Sequence, residues 1–253
     1  MNGNAFRLDE QLALVTGGGT GLGLGICQAL VEAGARVVMT GRREAVLHDA
    51  CMQLKGGAQY LAHDIADLAT IPTLVEEVEE RFGPLHILVN NAGIHLKKPA
   101  VETTDDEFAN VLQTHLFGAF ALTRECARRM IERRRGAIVM IASMTSLFGI
   151  PSVSAYGAAK SAVAGLTRLL ATEFSPHGVR INAIAPGWFD TALNRQAFAG
   201  DPARLQKILS RTPMGRVGEP LDVGYAAVYL CSPAAKFLTG VVLPVDGGAS
   251  VGF

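Results

Sequence analysis

Cysteine is scarce and poorly spaced for either of its structural roles. The four cysteines, Cys27, Cys51, Cys126 and Cys231, form no Cys-x-x-Cys pair, which speaks against a zinc site or a disulfide framework and for reduced thiols. No metal site is expected. Charge excess is also missing: 23 basic and 23 acidic residues cancel, so no overall field draws the chain to nucleic acid or an anionic membrane. The one local exception, Arg128, Arg129, Arg133, Arg134 and Arg135, falls at the end of an expected helix, where cations complement the dipole. No apolar run approaches the roughly 18 residues that span a bilayer. The first ten residues are polar and lack the apolar core of a signal peptide. A cytoplasmic protein without a membrane or nucleic-acid partner is the expectation. No Pro/Gly/Ser linker, repeat or low-complexity block divides residues 1–253, which read as a single domain.

Short β-branched apolar runs alternate with longer helical patterns. Strands are expected at 12–16, 36–40, 59–62, 87–90, 137–142, 180–185 and 240–244. Helices are expected at 23–33, 71–81, 105–132, 155–174, 202–210 and 220–231. Strands this apolar are covered on both faces, and strands separated by helices imply right-handed crossovers. The expected fold is α/β, a doubly wound Rossmann-type parallel sheet of about seven strands with helices on both faces. The least regular stretch, 188–217, leaves a strand end where such sheets bind ligands. It reads equally as a substrate lid or as a packing loop.

Directly after the first strand comes Thr16-Gly17-Gly18-Gly19-Thr20-Gly21-Leu22-Gly23. A glycine-rich turn opening a helix brings backbone N–H groups and the helix dipole to a pyrophosphate. The spacing is G-x-x-x-G-x-G, through Gly17, Gly21 and Gly23, and not the common G-x-G-x-x-G. The second strand ends in Gly41-Arg42-Arg43, with no acid to bond an adenosine ribose or repel a 2′-phosphate. Arginine suits phosphate, so NADP(H) is favoured and NAD(H) is possible; alternatively both arginines are a charged loop. Asp64, after the third strand, either accepts from the adenine amino group or caps a turn.

Tyr156 and Lys160 stand four apart in a helical pattern and share a face. A nearby ammonium, with an oxidised nicotinamide, would lower the phenol pKa towards general-base use. Ser143, just past a strand end, offers a hydroxyl to polarise a substrate oxygen.

Together with Asn90-Asn91-Ala92-Gly93, Pro186-Gly187 and Val245-Asp246-Gly247-Gly248, these pieces resemble the short-chain dehydrogenase/reductase family over essentially the whole chain. The resemblance implies a homotetramer, Tyr156 as acid/base, Ser143 as carbonyl stabiliser and Lys160 as ribose ligand. It implies further cofactor contacts at Gly17, Thr20, Gly21, Leu22, Gly23, Asn90, Asn91, Ala92, Gly93, Pro186, Gly187 and Thr191. One residue departs: His115 stands where the family places an asparagine that helps hold a water chain. Imidazole can hold a water and titrate near neutral pH, so His115 is expected either in the proton relay or simply bonded to backbone. The segments Ser143-Met144-Thr145-Ser146, Val153-Ser154-Ala155-Tyr156 and 208–213 are similar to gluconate 5-dehydrogenase and 2-deoxygluconate 3-dehydrogenase.

The expected activity interconverts a secondary alcohol and a ketone, on a small molecule of the sugar-acid or polyol type. Lys97, Lys98, Arg195 and Arg211 are the candidate cations for a carboxylate, while Trp188, Phe189 and Leu147 would suit an apolar ketone. The alternatives are a 3-oxoacyl thioester reductase, with the 128–135 arginines meeting an acidic carrier, and a nicotinamide-nucleotide sensor without turnover. The terminal Val251-Gly252-Phe253 could reach a neighbouring subunit's site.

Overall fold

All five residues of β1 (Leu12–Thr16) are buried, as are the four inner residues of β2 (Arg36–Gly41), because neighbouring side chains on each strand enter different cores. Leu12 and Leu14 join one apolar cluster while Ala13 and Val15 join another on the opposite face. The computed structural model describes residues 5–252. β1 and β2 combine with β3 (Ala58–Ala62), β4 (Leu85–Asn90), β5 (Gly136–Ile141), β6 (Val179–Pro186) and β7 (Val242–Val245). They form one seven-stranded parallel sheet in the order β3-β2-β1-β4-β5-β6-β7. The order reverses between β1 and β4, where the carboxyl ends of a doubly wound sheet open a crevice.

On one face lie α1 (Gly21–Glu32), α2 (Glu44–Gln53) and α9 (Pro220–Cys231); on the other lie α3 (Ile71–Phe82), α5 (Ala119–Glu132) and α6 (Ser154–Phe174). The helix expected across 105–132 is not continuous. α4 (Asp105–Leu112) passes through one wide π turn, Gln113–Gly118, into α5. Close packing fits this interruption: a Cβ on Gly118 would stand 2.4 Å from the Ile65 carbonyl oxygen.

The 188–217 excursion is mostly helical, α7 (Ala192–Ala199) and α8 (Pro202–Arg211), and a bridge between Phe189 and Gly218 pins its two ends together. No helix among the described residues is long and apolar enough to cross a membrane. Phe253, whose reach towards a neighbour was expected, lies outside the described residues.

Candidate active site

The turn after β1 is held by side chains before any ligand is considered. Thr16 Oγ1 accepts the backbone N–H groups of Asn91 and Ala92, at 3.0 and 2.9 Å. Asn91 Nδ2 donates to the carbonyls of Thr16 and Gly17, at 2.9 and 3.1 Å. Gly17 and Gly21 take φ of +65° and +55°, conformations that cost other residues strain. A Cβ on Gly23 would stand 2.1 Å from the Gly17 carbonyl oxygen. Thr20 precedes α1 without capping it by its side chain, which leaves the helix amino end to an anion. Thr191, at the start of α7, reaches within 3.6 Å of a Cβ placed on Gly21. A pyrophosphate fits this cradle.

At the end of β2, Arg42 and Arg43 are exposed, and neither pairs with an acid among the described residues. A Cβ on Gly41 meets only Leu47 side-chain atoms, the nearest at 3.6 Å, so an acid is sterically admissible there. Asp64 is exposed and accepts the Ala66 N–H through Oδ1 at 3.0 Å. It closes a turn with one oxygen and keeps the other free.

The reacting groups meet at the carboxyl ends of β5 and β4. Ser143 is buried in extended backbone, accepts the Thr145 N–H at 3.2 Å, and stands near enough to the Tyr156 phenol to lower its pKa. Lys160 is buried, and its Nζ donates to the Ile141 carbonyl at 2.6 Å while lying 5.7 Å from the Tyr156 ring centre. Small residues of α6, Ala155 and Ala159, pack against Val111 of α4, with Ile94 and Phe108 beside Tyr156. That packing fixes the helix face which presents the pair.

Residues 17–250 match the family described as Enoyl-(Acyl carrier protein) reductase. The chain is 41% identical over 250 residues to galactitol 2-dehydrogenase (L-tagatose-forming) of Cereibacter sphaeroides, covering 97% of each. It is 38% identical to 2-dehydro-3-deoxy-D-gluconate 5-dehydrogenase of Bacillus subtilis (strain 168), covering 97% of this chain and 96% of that one. It superposes with a TM-score of 0.94 on a gluconate 5-dehydrogenase from Burkholderia cenocepacia J2315 in complex with NADP and tartrate. Those two chains are 36% identical, with 99% of each covered. The chain belongs to the short-chain dehydrogenase/reductase family.

Several residues expected at the cofactor also have structural partners within this dehydrogenase. Asn91 and the Ala92 N–H are spent on the phosphate turn, so they position the cradle. Asn90 is buried, donates to Thr123 Oγ1 at 2.8 Å and leaves Oδ1 without a partner. It links the end of β4 to α5. Pro186 is buried, and the Gly187 N–H donates to the Val245 carbonyl at 2.9 Å, which ties β6 to β7 at the crevice.

The phenol is not acidified by the chain alone. Burial raises the Tyr156 pKa above the ordinary tyrosine value and outweighs the influence of Ser143, which lowers it. Burial also brings Lys160 down to about 7, so its charge, the expected source of the shift, is itself weakened.

His115 likewise departs from its expected titration. It is 4% exposed, and burial, then the Lys160 charge, lower its pKa to about 3. Its Nε2 lies 2.7 Å from the Ile94 carbonyl and 3.1 Å from the Ile94 nitrogen. A neutral ring nitrogen cannot serve both, and the shorter contact selects the tautomer that donates to the carbonyl. Nδ1 is then a buried acceptor with no partner. Gly93 is the cost of this seat, since a Cβ there would fall 2.2 Å from His115 Cε1. The ring also stands edge-on to Tyr156, centroids 5.3 Å apart.

Three of the four candidate cations are occupied. Lys98 pairs with Glu107 at 2.9 Å, Arg195 with Asp190 at 2.9 Å, and Arg211 lies 4.2 Å over the Phe148 ring. Two residues that the sequence did not single out sit closer to the chemistry: His95, edge-on to Tyr156 at 5.6 Å, and Arg204 of α8, near enough to act on His95.

A histidine held neutral in the fold but free to protonate when unfolded makes the protein acid-sensitive. Because the folded pKa is depressed, its contribution is complete above the unfolded value of 6.5 and is lost as pH falls towards 3. Between pH 7 and pH 5 the wild type is expected to lose about 2 kcal/mol of unfolding free energy through this group. Urea unfolding of His115→Asn at both pH values should lack that component.

Proposed function

We propose that this dehydrogenase is NADP(H)-dependent and interconverts a secondary alcohol and a ketone on a sugar acid or polyol. The observation that carries the reading is the junction of Ser143, Tyr156 and Lys160 beside a phosphate cradle whose ribose end offers Gly41, Arg42 and Arg43 and no acid. In support, the relatives named above act on galactitol and deoxygluconates, and one structural neighbour holds NADP. A nicotinamide held in the cradle supplies or takes the hydride.

In reduction, Ser143 and Tyr156 hydrogen-bond the substrate oxygen, and Tyr156 gives it a proton as it becomes an alkoxide. A phenol pKa raised by burial suits this direction at neutral pH, because the proton is in place. In oxidation Tyr156 must first lose that proton, with Lys160 steadying the phenolate. His115 serves the same proton path without titrating: its unprotonated Nδ1 accepts from a water on the Lys160 side and orders the route to solvent. Residues 188–217 act as the substrate lid, pinned at Phe189 and Gly218. Assembly into a homotetramer covers exposed apolar side chains such as Phe120 of α5 and Leu169 of α6.

The thioester alternative loses its docking patch. Arg128 pairs with Glu125, while Arg129 and Arg133 share Glu79. The carboxyl end of α5 also leads into the start of β5, at the amino ends of the strands and opposite the site. The sensor alternative is opposed by the complete Ser143, Tyr156 and Lys160 set.

Tyr156→Phe keeps the ring and removes the proton, so turnover should fall by roughly 100-fold or more while calorimetry finds NADPH affinity nearly unchanged. Gly41→Asp should move the kcat/KM preference from NADP(H) towards NAD(H), because the carboxylate repels a 2′-phosphate and accepts from a ribose hydroxyl. His115→Leu should slow turnover by about 10-fold, and His115→Asn should restore most of it. Both variants should keep the wild-type shape of the pH–rate profile between pH 6 and 8; a shape change in that range would return His115 to a titrating role.

A further inference from the structure

Two separate elements bring hydrogen-bond donors to the side of Tyr156. The loop after β4 supplies His95 and Lys97; α8, within the 188–217 excursion, supplies Arg204. The His95 ring stands edge-on to Tyr156, centroids 5.6 Å apart and planes at 70°, and is exposed. It is therefore the nearest described imidazole to the reacting phenol that a substrate can touch, since His115 is sealed inside. The charges of Arg204 and Lys97 both reach His95 and lower its pKa, and neither has a carboxylate partner among the described residues. The neighbouring cations show what pairing looks like here: Lys98 is taken by Glu107 and Arg195 by Asp190. The loop is also anchored, because the Lys98 N–H donates to the Ser152 carbonyl at 2.8 Å, just ahead of α6.

We propose that His95 and Arg204 form a subsite for a substrate carboxylate beside Tyr156, which makes sugar acids, and not neutral polyols, the preferred substrates. The subsite rests on the alcohol–ketone reading above and sharpens it. Arg204 offers a planar fork of donors that matches a carboxylate. His95, which burial and the two cations keep below its ordinary pKa, contributes a neutral N–H and adds no charge that would need its own counter-ion. Lys97, exposed on the same loop, adds long-range attraction without a fixed contact.

The test compares D-gluconate with its neutral amide and with galactitol under NADP, in wild type and variants. Wild type should prefer gluconate to the amide in kcat/KM, and its KM for gluconate should rise with added salt. Arg204→Ala should cut that preference roughly 10-fold or more, because it removes a hydrogen bond to a charged group, and Arg204→Lys should restore part of it. His95→Leu should act like Arg204→Ala, whereas His95→Gln, which keeps a donor, should not. Calorimetry with gluconate and no cofactor should show weaker binding to both damaging variants. Equal use of gluconate and amide by wild type, or a preference that survives both damaging variants, would overturn the subsite. A stronger preference for glucitol 6-phosphate than for gluconate would overturn the carboxylate assignment in favour of phosphate. If folded wild type turns over no alcohol or ketone, the alcohol–ketone reading fails; gluconate binding by calorimetry still decides the subsite independently.

Discussion

Six consecutive residues, 90–95, tie the whole site together, and the bond that sets their path is the mutual grip of Thr16 and Asn91. At that point β1 and β4 part at the switch in strand order, and each orders the other's exit. Asn91 holds the phosphate turn in place through the Thr16 and Gly17 carbonyls, and Thr16 returns two bonds to the β4 exit. The next residues inherit that geometry. Gly93 passes under the His115 ring, Ile94 bonds it, and His95 emerges against Tyr156. A displacement at Thr16 would therefore reach the cradle, the π turn and the reacting phenol along one short piece of backbone.

Burial governs the electrostatics of that assembly more than pairwise attraction does. Lys160, His115 and Tyr156 are all pushed towards their neutral forms, each with desolvation as the largest cause. Few local acids oppose this, so the interior holds titratable groups with little net charge. Such a cluster is costly to the fold, since a buried lysine is compensated here by one carbonyl of Ile141. Functional sites are where that cost is tolerated.

β1, β4, β5 and β6 were legible because nearly all their residues are buried, which makes the apolar runs continuous. The long helices were legible from their periodic faces. α2 was missed because only Leu47 and Ala50 of its ten residues are buried, too little to make a stripe. α7 was missed because no buried residue is found on its described face. The π turn leaves no mark in periodicity: Gln113–Gly118 continues the helical pattern, and only the tight seat of Gly118 hints at it. Ser143, Tyr156 and Lys160 were readable as a set because spacing and strand position agree. The partners of Asn90 and Asn91 were not legible, because a motif records which residues recur together and not which atoms they touch; one side chain bonds Thr123 and the other clamps the turn after β1. His95 and Arg204 lie more than a hundred residues apart, in segments whose approach only the fold creates.

A positive mouth over a neutral interior has a consequence for direction. An anion bound next to Tyr156 disfavours the phenolate and so favours the protonated phenol, which is the form that completes ketone reduction. The cations at His95 oppose that effect by neutralising the anion where it sits. Under the proposed subsite, those cations would hold the substrate's charge at the entrance and spare the proton balance at the phenol oxygen. Without Arg204 the same substrate would raise the phenol pKa further, so loss of that residue should hinder oxidation of an acidic alcohol more than reduction of the matching ketone.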